Sequence, residues 1–244
     1  MRLYPFIGLV IGLAYASPAW GQSGIETFLE YEEVITGGAQ PSDPLPMVVA
    51  LHGYGDTPSN FARLWRAFPK PARFVVLRAP QVKGRGFSWF RIVRPIDFSD
   101  HPTSHEILNV AVAIVNTVHL VSRTRPTVGK PVVTGFSQGG ILSLTLALHY
   151  PDVFAAALPI AGTVPRRFQA VIEPPAPVYA FHGTADRVVS LSSLNQGKAA
   201  FSAGGRPINV KTYRDVRHRV TPEMRRDIYA RLTDELNPAG KNAD

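Results

Sequence analysis

The sequence predicts an α/β fold, a doubly wound and mostly parallel sheet carried in one domain over residues 22–244. Three observations predict it. Short apolar runs, each the length of one buried strand, alternate with longer segments of helical spacing. No repeat interrupts the alternation, and no linker is long enough to divide the chain. The chemically distinctive residues each follow an apolar run, at the sheet edge where ligands bind in this architecture.

The chain has 244 residues, 45% of them apolar, enough for one substantial core. Residues 1–21 are set apart. Arg2 precedes an apolar run from Leu3 to Ala16, and Ala19-Trp20-Gly21 supplies small residues before Gln22. That is the layout of a secretory signal peptide and implies a periplasmic or secreted protein. The run is shorter than the ~20 residues a membrane span needs, so no lasting membrane anchor is expected after cleavage. There are no cysteines, which excludes disulfides, a thiolate nucleophile, a cysteine metal site and a lipidated cysteine. The net charge of +8 is scattered, with a concentration from Arg206 to Arg231, and no motif supports nucleic-acid binding.

Taken in order, Phe28 to Ile35 alternates as an outer strand would. Met47 to Leu51 is unbroken and apolar, as in a central strand buried on both faces, and opens into His52-Gly53-Tyr54-Gly55-Asp56. Asn60 to Phe68 reads as a helix stopped by Pro69, and Phe74 to Leu77 as the next strand. From Gln81 to Ser104 there is little periodicity but many aromatics, Phe87, Trp89, Phe90 and Phe98. Rings on a loop over the sheet edge are expected to wall a pocket, with Trp89 and Phe90 as substrate-binding residues. Glu106 to Val121 is an apolar helix. Val153 to Ile160 and Pro177 to Phe181 are strands, Ser190 to Ala203 a helix, and Ile208 to Tyr213 the last strand. Thr221-Pro222-Glu223 opens a final helix with an N-cap, proline at the first position and an acid in the first turn.

The chemistry centres on Val132-Val133-Thr134-Gly135-Phe136-Ser137-Gln138-Gly139-Gly140. An apolar strand rises to G-x-S-x-G, and a helical segment follows from Ile141 to His149, the setting of a strained turn that exposes a serine hydroxyl. A β-carbon at Gly135 or Gly139 would collide with the neighbouring strand or helix. Gln138 begins the helix, so its N–H is an unpaired donor at the reaction site. The glycines after Leu51 mark a second close backbone approach, and by position Tyr54 N–H is the second donor. His52 is read as structural.

Ser137 as nucleophile needs a base, and the base an orienting carboxylate, following in the order Ser, Asp or Glu, His. His218, in the loop after the last strand, is the histidine that fits. His149 sits in the helix leaving the turn, and His182 precedes nearly every plausible acid. Asp186 closes His182-Gly183-Thr184-Ala185-Asp186 one strand earlier and is the favoured acid. Asp215 competes, but shares the His218 loop.

On these residues the chain resembles the phospholipase/carboxylesterase family of α/β-hydrolases, which includes acyl-protein thioesterases and small bacterial carboxylesterases. The matching pieces are Leu51 to Asp56, Ser88-Trp89-Phe90, Gly135 to Gly140, His182 to Asp186 and the surroundings of His218, in family order along nearly the whole mature chain. The resemblance implies an α/β-hydrolase fold with no large cap. It also implies a Ser137–Asp186–His218 triad, an oxyanion hole from Tyr54 and Gln138, a small-molecule ester substrate, and no metal or organic cofactor. The chain departs from the family pattern at Arg217 and Arg219, where the family has small residues, and at Arg91, where an acid is common. With the signal peptide, these departures point to an exported carboxylesterase for esters bearing negative charge. Alternatives are a polysaccharide- or polyester-directed esterase, such as a feruloyl or acetyl esterase or a depolymerase, and a silent binding protein on a hydrolase scaffold.

Overall fold

A computed structural model describes residues 28–92, 101–165, 168 and 174–237. The expected signal peptide over 1–21, the ring of Phe98, part of the 163–176 loop and the tail after Asn237 lie outside the described residues. The described residues build one seven-stranded sheet in the order β1-β3-β2-β6-β7-β8-β9. Its strands are β1 (Tyr31–Thr36), β2 (Met47–Leu51), β3 (Ala72–Leu77), β6 (Val132–Phe136), β7 (Ala156–Ile160), β8 (Tyr179–Gly183) and β9 (Asn209–Tyr213). All pair in parallel except β1, which runs antiparallel along β3 as the outer strand. Its edge is tied down by Arg73, a fully buried guanidinium on β3 that ion-pairs with Glu33 and donates to Pro41 O at 2.9 Å.

Among the described residues, five helices cover the two faces: α1 (Pro58–Ala62), α2 (His101–Thr124), α3 (Gln138–His149), α4 (Leu191–Ala203) and α5 (Pro222–Glu235). Alternation along the strands decides which face each side chain serves. Met47, Val49 and Leu51 join the core beneath α2, α3 and α4, while Val48 and Ala50 join the core beneath α1 and α5. Residues 138–148 of α3 are all buried, so this helix is covered on every side. In α2, Thr103–Thr124 has the length and hydropathy of a membrane span, but Ile107, Ala111, Ile114, Val118 and Val121 face the core.

Two expectations are corrected. The helix expected over Asn60–Phe68 closes after Ala62, because the backbone tightens into bonds three residues apart, from Leu64 N–H to Phe61 O, Trp65 N–H to Ala62 O and Phe68 N–H to Trp65 O. That winding sets the Trp65 ring against Phe74, with centroids 5.3 Å apart. The 81–104 stretch also contains regular structure. β4 (Gln81–Lys83) and β5 (Gly86–Ser88) form a small antiparallel hairpin outside the main sheet.

Candidate active site

The turn from β6 into α3 holds Ser137 at φ 56°, ψ −112°, a left-handed conformation that a non-glycine residue adopts only when its surroundings force it. The forcing contacts are those expected of the two glycines. A β-carbon on Gly135 would lie 2.4 Å from the Gly139 backbone, and one on Gly139 would lie 2.0 Å from Leu51 O. With its backbone so held, Ser137 N–H donates to Ile160 O at 2.9 Å and the side chain projects from the end of the strand.

The loops after β8 and β9 bring the other two members to it. His218 Nε2 lies 2.9 Å from Ser137 Oγ, and His218 Nδ1 lies 2.7 Å from Asp186 Oδ2. With Nδ1–H donating to the carboxylate, Nε2 is the acceptor for the serine hydroxyl. The Asp186 side chain is fully buried. Burial alone pushes its carboxyl up, but hydrogen bonds from His218 and from the Val188 and Val189 N–H groups outweigh this and hold it below the ordinary carboxylate range. Asp215 is the other candidate acid. It is exposed, and its carboxylate turns to Arg214 at 3.5 Å.

Histidines 52, 149 and 182 sit elsewhere. His52 is fully buried; its Nδ1–H donates to Gly53 O at 2.7 Å while Nε2 accepts from Ala79 N–H at 3.3 Å. Both ring nitrogens are committed to the backbone, as a structural histidine requires. His182 donates from Nε2 to Val189 O at 2.8 Å, beneath Asp186. His149 packs edge-on against Phe168 at the far end of α3. Burial lowers the pKa of all three rings.

Around Tyr54, the Gly53 carbonyl accepts from Asp56 N–H and from His52, and Gly55 N–H donates to Phe87 O at 2.8 Å. Among the described residues, neither Tyr54 N–H nor Gln138 N–H has an acceptor. β2 and β6 are sheet neighbours, with Leu51 opposite Gly135, so the segments carrying these two donors lie side by side.

The expectation that Trp89 and Phe90 wall a substrate cleft is corrected: both are completely buried. The indole needs an acceptor for its N–H and finds one in His52 O at 2.8 Å, with its ring against the His52 ring. The sequence reading also missed the Gln138 side chain. It donates from Nε2 to Phe90 O at 2.8 Å, and its Oε1 accepts from Trp89 N–H at 3.1 Å and Ser88 Oγ at 3.3 Å. Only an unusually polar residue at the start of an apolar helix hinted at this. Arg217 and Arg219 are exposed and make no ion pair among the described residues. Arg91 instead pairs with Glu106, Nε to Oε1 at 2.5 Å.

A serine held at a strained turn, an imidazole on its hydroxyl and a buried carboxylate behind the ring can together activate the hydroxyl as a nucleophile by general-base catalysis. The profile of the phospholipase/carboxylesterase family matches residues 30–234, which span all of these groups. The chain is 33% identical over 122 residues to poly(3-hydroxyalkanoate) depolymerase C of Paucimonas lemoignei, an overlap of 48% of this chain and 28% of that one. The chain spans less than half the length of the curated relatives it matches, 28% and 46%. The crystal structure of esterase PE8 superimposes with a TM-score of 0.70 at 21% identity, over 86% of this chain and all of the other. Acyl-protein thioesterase 2 of Zea mays superimposes at 0.67 with 23% identity, again over 86% of this chain and all of the other. At such identities the two superpositions speak for the fold.

Proposed function

Because this chain belongs to the phospholipase/carboxylesterase family of α/β-hydrolases, we propose that it is a serine carboxylesterase acting through an acyl-enzyme on Ser137. The observation that carries the reading is the continuous chain from Asp186 through His218 to Ser137, joined at 2.7 and 2.9 Å. His218 Nε2 takes the Ser137 proton as Oγ attacks the ester carbonyl. Asp186 holds the imidazole tautomer and stabilises the imidazolium. The Tyr54 and Gln138 N–H groups receive the oxyanion, each worth about 3 kcal/mol of barrier. His218 returns the proton to the departing alcohol, and water clears the acyl group by the same steps reversed.

The substrate in this reading carries negative charge. Arg217 and Arg219 flank the catalytic histidine with free guanidinium groups, whereas Arg91 is neutralised by Glu106 and drops out of that argument. The depolymerase similarity supports a polyester-directed alternative. The sequence of residues 1–21 supports export to the periplasm or medium, which N-terminal sequencing of the exported protein checks.

The deciding experiment is Ser137→Ala in purified protein, assayed on 4-nitrophenyl butyrate. The variant is expected to fold and to lose at least a thousandfold in kcat. Retained hydrolysis would remove Ser137 from the mechanism. Substrate charge is read from the ratio of kcat/KM for the 4-nitrophenyl half-ester of adipic acid to that for its methyl ester. Arg217→Glu with Arg219→Glu is expected to lower that ratio about tenfold, and an unchanged ratio would dismiss the anionic-ester reading.

A further inference from the structure

The two oxyanion donors belong to separate segments, the loop after β2 and the first residue of α3. Catalysis through them requires a fixed gap between two N–H groups that no shared element spans. Donor position matters here to a fraction of an ångström, because the hydrogen bonds must meet an oxygen that exists only in the transition state. Residues 86–90 touch both segments. On the loop side, Gly55 N–H donates to Phe87 O at 2.8 Å and Phe87 N–H donates to Asp56 O at 2.9 Å. This pairing is possible because residue 86 is glycine: a β-carbon there would sit 2.2 Å from Gly55 O. The Trp89 indole N–H adds the bond to His52 O at 2.8 Å. On the helix side, the Gln138 amide is closed around the same strand end, donating to Phe90 O and accepting from Trp89 N–H and Ser88 Oγ.

We propose that residues 86–90 are a brace that sets the oxyanion hole, with the Trp89 indole and the Gln138 side-chain amide as its positioning residues. The proposal rests on the hydrolase reading above. It assigns Trp89 and Gln138 to the transition state rather than to substrate binding. Gln138 thereby contributes twice, with its backbone N–H facing the oxyanion and its side chain fixing where that N–H points. Because the two donors engage the oxygen fully only once it carries charge in the transition state, loss of the brace falls on kcat and leaves KM nearly unchanged.

The test uses Trp89→Phe, which keeps an aromatic ring and removes one donor, and Gln138→Met, which keeps the length and removes the amide. Both are assayed on 4-nitrophenyl butyrate beside wild type and Ser137→Ala, with competent sites counted by fluorophosphonate labelling. Each variant is expected to lose ten- to hundredfold in kcat per labelled site, with KM within about threefold. The affinity for a trifluoromethyl ketone, which forms an oxyanion adduct, should fall by a similar factor. Gln138→Met leaves buried polar groups without partners and risks misfolding; Trp89→Phe then decides alone. If kcat per labelled site and ketone affinity stay at wild-type values while only the melting temperature falls, the segment is merely structural and the proposal is wrong. If Ser137→Ala keeps activity, the hydrolase reading itself has failed, a different result from an intact triad with an indifferent brace.

Discussion

Single atoms decide the chemistry at this site. Asp215 lies in the His218 loop itself and Asp186 a full strand earlier, yet only Asp186 reaches the ring nitrogen that needs orienting, at 2.7 Å. Asp186→Asn keeps the size of the side chain but reverses the hydrogen bond that fixes the His218 tautomer. It should lower kcat by roughly 10³–10⁴ with KM little changed. Asp215→Asn removes only an exposed pair with Arg214 and should leave both constants at wild-type values. Steady-state kinetics on the two variants compares the acids directly. Equal losses would mean that the triad is drawn with the wrong carboxylate.

At the level of elements, the strand–turn–helix unit of β6 and α3 is built on absent side chains. Gly139→Ala would force a β-carbon to within 2.0 Å of Leu51 O, backbone that cannot swing aside. The cost is expected to be about 1–3 kcal/mol or more in urea unfolding, together with lost activity, since the shift displaces Ser137 as well. Helix α5 offers a milder case. Thr221 Oγ1 accepts from Met224 N–H at 3.1 Å, and Thr221→Ala should cost about 1 kcal/mol while the turn at Ser137 stays intact. The Thr221 cap was legible in the sequence because capping is local. The β4–β5 hairpin was not, because its strands are three residues long and its register answers to the Asp56 loop rather than to its own pattern.

Across the whole molecule, buried titratable groups set the response to acid. His52, His149 and His182 are held neutral by burial, with folded pKa values below that of a free imidazole. The unfolded chain therefore binds more protons below about pH 6.5, and stability falls as the pH drops through that value. Asp186 adds the carboxylate case: its folded pKa is depressed, so the stability it contributes is present above about pH 4 and lost as the pH falls further. The melting temperature should stay level from pH 8 to 7, decline from about 6.5 and drop steeply below 4. A melting temperature unchanged between pH 7 and 5 would show that the three histidines take up protons equally in both states. The basic surface predicts a separate effect, a fall in kcat/KM for an anionic ester between 0.05 and about 0.5 M salt that a neutral ester does not show.

The alternation of strands and helices, the strained turn at Ser137 and the order of Asp186 and His218 could be read along the chain, because each is written in local pattern: apolar runs, glycine spacing, a residue just past a strand. The same reading misassigned Trp89 and Phe90, since an aromatic on an aperiodic loop reads the same whether it faces a pocket or the core. Long-range packing was needed to bring the indole N–H to His52 O, to close the Gln138 amide on residues 88–90, and to pair Arg91 with Glu106. Those partners lie 15 to 50 residues apart, and a hydrogen bond's direction across that distance is fixed by how the fold brings those segments together.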